Sequence, residues 1–251
     1  MVITFNEQDN IARTLDSIHW ADKIIVIDSG STDDTLRIVA GYANATVVHR
    51  DFTTFAEQCN FGLEHVTSPW VLSIDADYVF PLDAGQAVRQ AITEAGTGET
   101  TAAYAVEFHY AIYGKVVKGS ILPPRTVLYR RDCAQYEDDG HGHRVCINGE
   151  VKTLPFNVTH DDRKPLRRWL ASQSTYAAQE ADKICAMPFS TLSAPDKLRR
   201  LYVVAPLVVF MLVYIVRGGF LSGWHGLYYA LQRLYAEFVL SLELIDRKLR
   251  L

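Results

Sequence analysis

Lys23-Ile24-Ile25-Val26-Ile27-Asp28-Ser29-Gly30-Ser31-Thr32-Asp33-Asp34 joins a purely apolar run to an acid and a turn-forming segment. Consecutive β-branched residues leave no polar face, so this run predicts a strand buried on both sides, as in a parallel sheet covered by helices. The acid at its end, then Gly, Ser, Thr and Asp, predict a sharp turn and a capped helix over Asp33–Tyr42. Outward from there, Val2–Phe5 reads as a strand and Asn10–Ile18 as a helix with Ile11, Leu15 and Ile18 on one face. Thr46–His49 is strand-like and Phe55–Val66 helical. Trp70–Ile74 reads as a fourth strand running directly into Asp75-Ala76-Asp77. Strands alternating with helices through short links imply an α/β fold with a mainly parallel sheet.

In such sheets ligands bind beyond the carboxyl ends of the strands. Glu7, Asp28 and the Asp75/Asp77 pair each follow a strand, so the reading brings acidic groups from different elements to one crevice. Asp28 can accept hydrogen bonds from a nucleobase or ribose, and Gly30 lets the backbone turn. Ser31 to Asp33 are explained by helix capping alone, but an acid at the very end of a buried strand is not. Asp75 and Asp77 offer hard oxygen ligands to Mg²⁺ or Mn²⁺, which neutralises a nucleotide diphosphate as it leaves. A lone pair of this kind is more often a solvated turn; its place after an apolar strand, with Asp28 in register, favours the metal. The chain has no G-x-x-x-x-G-K-[ST], no G-x-G-x-x-G after its first strand and no G-x-S-x-G.

From Ala102 to Leu154 the pattern turns to β-rich hairpins, with Asn148-Gly149 a strong turn signal. Within it, Tyr136-Glu137-Asp138-Asp139-Gly140-His141-Gly142-His143-Arg144 concentrates carboxylates and imidazoles beside glycines. Sugar transfer with inversion needs a base for the acceptor hydroxyl, and Asp139, then His141 and His143, are the candidates. A plain acidic turn is the alternative; a zinc site from Cys133, His141, His143 and Cys146 matches no usual spacing. His160 can complete the metal shell, while Arg125, Arg163, Lys164 and Arg167 are candidates for phosphate oxygens. Pro165 is expected to open a helix reaching about Ala186.

The C-terminal quarter is apolar from Leu201 to Val216, with Pro206 inside it, and aromatic-rich from Phe220 to Leu244. The first run falls short of the roughly 18–20 residues of a perpendicular span. Helices lying in a membrane interface are expected, with a buried hairpin or a subunit contact as the alternative. The boundaries expected are a catalytic domain over residues 1–165 and a membrane-associated helical region over 166–251. A net charge of −4 gives no footprint for nucleic acid. Four cysteines without a C-x-x-C pair suit a reducing compartment. No signal peptide is visible, and Met1 stands so close to the first strand that the natural start is expected upstream.

Taken jointly, Thr4-Phe5-Asn6-Glu7, the strand with Asp28-Ser-Gly-Ser-Thr-Asp33, Phe55-Ala-Glu-Gln-Cys-Asn60 and Leu72-Ser-Ile-Asp75-Ala-Asp77 resemble family 2 glycosyltransferases of the GT-A fold, a Rossmann-like sheet with covering helices. The nearest likeness is to bacterial lipopolysaccharide-core glucosyltransferases. The resemblance implies inverting transfer from a UDP-sugar or similar donor to a glycan or lipid-linked envelope acceptor. The work would be done at the cytoplasmic face of the bacterial inner membrane, with a homo-oligomer as a further expectation. It implies donor contacts from Thr4, Glu7, Asp28, Gly30, Asp33, Asn60, Asp75 and Arg125, and a divalent cation held by Asp75, Asp77 and His160. Tyr78 stands where many relatives carry Glu, and Gly142-His143-Arg144 stands near their V-H-E, so the base does not transfer. A nucleotidyltransferase lacks its Gly-rich phosphate loop here, and an inactive scaffold has no need of Asp28, Asp75 and Asp77.

Overall fold

The computed structural model describes residues 1–96, 100–139 and 142–250. Two compact units form. One comprises Met1–Tyr113, Leu122–Asp138 and Gly142–Arg163; the other takes Gly114–Ile121, a short stretch at Asp139, and the chain from Lys164 onward.

In the first unit the chain runs β1 (Val2–Thr4), α1 (Ile11–Ser17), β2 (Ile24–Asp28), α2 (Thr35–Val39), β3 (Ala45–His49), α3 (Phe55–Glu64), β4 (Trp70–Leu72), β5 (Ile74–Asp75), β6 (Tyr78–Val79) and α4 (Ala84–Gly96). β7 (Thr101–Ile112) follows, and the second unit's β8 (Lys115–Val116) comes before β9 (Arg125–Arg130), β10 (Ala134–Asp139), β11 (Gly142–Ile147) and β12 (Glu150–His160). One sheet is parallel, in the order β3-β2-β1-β5. Its two central strands are apolar on both faces because both are covered. Val2, Ile24 and Val26 pack with Ile11, Leu15 and Ile18, whereas Ile3, Ile25 and Ile27 pack with Ala56, Cys59 and Leu63 of α3. α3 lies so close that a Cβ on Gly62 would meet Met1 Sδ at 2.3 Å and Ile27 at 3.1 Å.

The expected fourth strand is corrected. Trp70–Leu72 pairs antiparallel with β9 in a second, mixed sheet ordered β4-β9-β7-β12-β6, and only Ile74–Asp75 joins β1. The chain changes sheets at Ser73, whose N–H donates to Val127 O, while Ile74 N–H donates to Met1 O. That switch delivers Asp75 and Asp77 to the place where the two sheets meet. β12, absent from the sequence reading, carries an irregular register between Thr153 and Asn157, and Pro155, which has no N–H for a ladder, lies inside it.

The second unit holds α5 (Leu166–Ala186), α6 (Ala194–Arg199), α7 (Val204–Met211), continued by a wider turn to Val216, and α8 (Gly223–Leu249). Ala177, Ala181 and Ile184 of α5 pack with Leu240 and Leu244 of α8. Arg199 is held among Glu180, Asp196 and Glu237 at 2.9–3.3 Å. Burial opposes that charge, but the three carboxylates outweigh it and hold the guanidinium above its ordinary value. Leu207, Met211, Val216, Leu221 and Trp224 are exposed. Among the described residues no single helix is long and apolar enough to cross a membrane; Val204–Val216 and Gly219–Leu249 pass together only as a pair bent by 64°.

Candidate active site

The parallel register sets Thr4 beside Asp28, Asp28 beside His49, and Ile3 beside Asp75, so the acids share the carboxyl edge of one sheet. Asp28 is buried, and its carboxylate is turned into its own loop. It accepts from Gly30 N–H at 2.9 Å, Ser31 N–H at 3.0 Å and the Ser31 hydroxyl at 2.5 Å. Gly30 has φ +90, the left-handed conformation that favours glycine. Asp28 therefore shapes the loop directly.

The loops after β1 and β2 are tied together. Asn6, itself at φ 55, accepts from Thr32 N–H at 2.7 Å and Asp33 N–H at 3.3 Å, and its own N–H donates to the Ser31 hydroxyl at 2.8 Å. Asp33 accepts from Thr35 N–H at 3.0 Å and Gln8 N–H at 3.2 Å. Glu7 is buried, takes a hydrogen bond from Asn10 at 2.7 Å, and donates its N–H to the Thr35 hydroxyl at 2.7 Å. Thr4 is buried at the strand end, and its carbonyl accepts from Ser29 N–H at 3.0 Å. Asn6 was absent from the sequence-derived site; its place between two strand-end loops, in a Thr-Phe-Asn-Glu run, was the available signal.

Opposite these loops, β12 ends against β6, with His160 across from Tyr78. His160 Nε2 lies 3.1 Å from Asp77 Oδ2, and its ring rests on those of Tyr78 and Tyr110 at 5.4 and 5.1 Å between centroids. Burial disfavours the imidazolium, but the charge and hydrogen bond of Asp77 outweigh it and hold His160 above its ordinary value. One ligand atom each from Asp77, His160 and Asp162 falls within 4.8 Å of the others. Two carboxylates and an imidazole suit a divalent cation such as Mn²⁺. Asp162 is the member of this set that the sequence reading did not assign. Asp75, expected in the set, lies outside it and instead faces Arg125, 3.7 Å away.

Tyr78 joins that pair. Its hydroxyl accepts from Arg125 Nη1 at 2.8 Å and hydrogen-bonds Asp75; burial first, then the Asp75 charge, raises its pKa well above the usual value, so it stays protonated. Its interaction with Tyr78, and then, against burial, the charges of Asp75 and Asp77, hold Arg125 above its ordinary value at the strand ends. Beneath the metal-capable group, Asp161 is buried between Arg13 at 2.6 Å and Arg163 at 2.9 Å, tying the segment to α1.

Asn60 donates to Tyr136 O and accepts Tyr136 N–H, both at 2.9 Å, so its amide acts as a strand partner for β10. His143 stands on β11 against the rings of Phe55 and Tyr136. Asp139 pairs with Lys183 at 2.7 Å within the second unit. His141 lies outside the described residues.

A parallel sheet edged with acids, joined to a mixed sheet that brings a carboxylate–imidazole group and an arginine to the join, defines a glycosyltransferase of the GT-A fold. Residues 1–140 match the model of Glycosyl transferase family 2, and the chain belongs to that family. Over 80 residues it is 32% identical to the lipopolysaccharide core biosynthesis glycosyltransferase LpsC of Rhizobium meliloti, covering 30% of each chain. Over 77 residues it is 40% identical to an uncharacterized glycosyltransferase of Rickettsia conorii, covering 30% of this chain and 27% of that one. The match thus spans less than a third of the length of these relatives. Among solved structures, a mannosyltransferase from Pyrobaculum calidifontis, in complex with GDP-Man and Mn²⁺, is similar in fold. The TM-score is 0.51 at 17% identity, over 99% of this chain and 85% of that one.

Proposed function

We propose that the protein transfers a sugar from a nucleotide-sugar donor, a UDP-sugar by preference, to a glycan, lipopolysaccharide or lipid-linked acceptor of the bacterial envelope, with inversion at the anomeric carbon. The observation that carries this reading is the approach of Asp77, His160 and Asp162 to within 4.8 Å of one another, beside Arg125 and the acid-edged sheet. In this reading those three hold Mn²⁺ or Mg²⁺, which when bound would offset the charge of the departing diphosphate. Arg125, oriented by Tyr78 and Asp75, meets phosphate oxygens. Glu7, Asp33 and the Asp28 loop receive the nucleoside. The acceptor hydroxyl attacks from the face opposite the leaving group, and a base takes its proton. The name of the Rhizobium meliloti relative supports an envelope acceptor. The test is to incubate the full chain with Mn²⁺, UDP- and GDP-sugars, and bacterial lipid and lipopolysaccharide extracts. Release of nucleoside diphosphate from one donor, with inverted configuration in the product by NMR, is expected; no release from any donor refutes the reading.

The second unit, in the same reading, rests on the cytoplasmic face of the inner membrane. Exposed Leu207, Met211, Val216, Leu221 and Trp224 support this. So does the absence of any Asp or Glu from Lys197 to Ala236, a stretch in which Lys197, Arg200 and Arg217 stand apart from the carboxylates that hold Arg199 and Arg233. Flotation of the full chain with phosphatidylglycerol vesicles should succeed and should fail for Leu207→Glu with Val216→Glu. Dimerisation of the unaltered chain without vesicle binding would favour a homo-oligomer instead.

A further inference from the structure

We infer that His143 is the residue that removes the acceptor's proton, an inference that rests on the glycosyl-transfer reading above. Its position is fixed by a chain of contacts within the first unit. Asn60 clamps Tyr136 by both backbone groups, and the Tyr136 hydroxyl donates to Ser73 Oγ at 2.8 Å, two residues before Asp75. The His143 ring packs at 5.3 Å on Tyr136 and at 5.8 Å on Phe55, the first residue of α3. The imidazole therefore has a seat built from β10, α3 and the sheet-switching segment that presents Asp75. Asp75, Arg125 and Asp138 are the charged groups that act on it.

Two of the three neighbouring carboxylates are engaged elsewhere, and the third, Asp138, acts on the His143 ring itself. Asp139 is held by Lys183 at 2.7 Å, and Glu137 lies 3.5 Å from Arg144. By contrast, neither ring nitrogen of His143 is hydrogen-bonded among the described residues. Burial lowers its pKa, and Arg125 adds to this against the pull of Asp75 and Asp138, so the ring is neutral at pH 7 and has a lone pair to offer. In the step itself, the acceptor oxygen bonds to the anomeric carbon as its proton passes to the free imidazole nitrogen. The bond from that carbon to the phosphate oxygen breaks, and the nucleoside diphosphate leaves with the electron pair. The imidazolium then returns the proton to water.

The test compares the full-chain protein with its His143→Gln and His143→Glu variants on the donor identified above, with Mn²⁺ present. Hydrolysis (water as the acceptor) and binding of the nucleoside diphosphate are both measured. His143→Gln should lower turnover roughly 10²–10⁴-fold while diphosphate affinity stays within about threefold. Turnover of the unaltered protein should fall as pH drops through a value below the ordinary imidazole pKa, because the protonated ring cannot accept. His143→Glu should retain activity and move that limb down toward the carboxylate range. Turnover in His143→Gln above about a tenth of the original, a loss that tracks diphosphate affinity, or an unmoved acid limb in His143→Glu would each overturn the assignment and leave glycosyl transfer standing. An unaltered protein that releases no nucleoside diphosphate from any donor, with the acceptor extracts present, removes the transfer reading and this inference together.

Discussion

Replacing Asp161 by Ala should destabilise the first unit more than any exposed substitution, because the carboxylate is buried between two guanidinium groups. Asp161 is 2% exposed; its Oδ2 lies 2.6 Å from Arg13 Nη1 and 2.9 Å from Arg163 Nη2. Arg13 also donates to Asp161 O at 2.9 Å and to Asn10 Oδ1 at 2.5 Å, so it cannot swing freely into water when the charge goes. Each unit-charge pair near 4 Å between charge centres is worth about 4 kcal/mol at an effective dielectric of about 20, before desolvation is subtracted. Removing one partner of a buried pair costs about 3–5 kcal/mol. The Arg163 side chain is 38% exposed, so its share is discounted for screening, and Arg13, at 25%, carries most of the loss. The expected cost is about 3 kcal/mol, read as a shift in the urea midpoint at constant slope. Asp161→Asn keeps one acceptor and should cost less. The double change Arg13→Met with Asp161→Ala should recover at least about 1 kcal/mol relative to the sum of the two single changes. A loss below about 1 kcal/mol, or strict additivity in the cycle, would show that Asp161 and Arg13 are not coupled as a buried pair.

Three further outcomes are expected. Tyr78→Phe removes the hydroxyl that bridges Asp75 and Arg125, and should cost about 1.5–3 kcal/mol in a denaturant titration while raising the donor KM. Asn60→Leu leaves the N–H and C=O of Tyr136 without their partner; hydrogen exchange at the Tyr136 amide should accelerate well before the protein unfolds globally. Because Asp77 holds His160 above its ordinary value, and a protonated imidazole cannot bind a metal, Mn²⁺ affinity should rise with pH through and beyond about 6.5. An affinity that is flat across pH 6–8 would count against His160 as a ligand.

How far these features were legible in the sequence follows from how local their causes are. β2 was legible because four β-branched residues in a row have no other economical place than a sheet covered on both faces. Asp28, at its end, was found for the same reason, but its engagement with Gly30 and Ser31 depends on a turn whose geometry no pattern states. Trp70–Ile74 looked like one strand because nothing in its residues marks Ser73 as the point where it leaves one sheet for another; the partners, Val127 and Met1, are distant in sequence. β12 was hidden by Pro155, which reads as a break and sits instead at an irregularity. Asp162 belongs to no motif in the sequence, because its cluster with Asp77 and His160 arises only when β12 docks on β6. Asn60 carried a motif-level signal whose structural use, clamping Tyr136, could not be read without the hairpin it holds.

In the proposed function Asp77, with His160 and Asp162, forms a metal-dependent seat for a nucleotide diphosphate. Calorimetric titration of UDP into the full chain, with and without Mn²⁺, for the unaltered protein and Asp77→Ala, tests it most directly. Mn²⁺ is expected to tighten UDP binding at least tenfold, about 1.4 kcal/mol, in the unaltered protein and to have no effect in Asp77→Ala. Tight binding of UDP without metal, unchanged by Asp77→Ala, would contradict it.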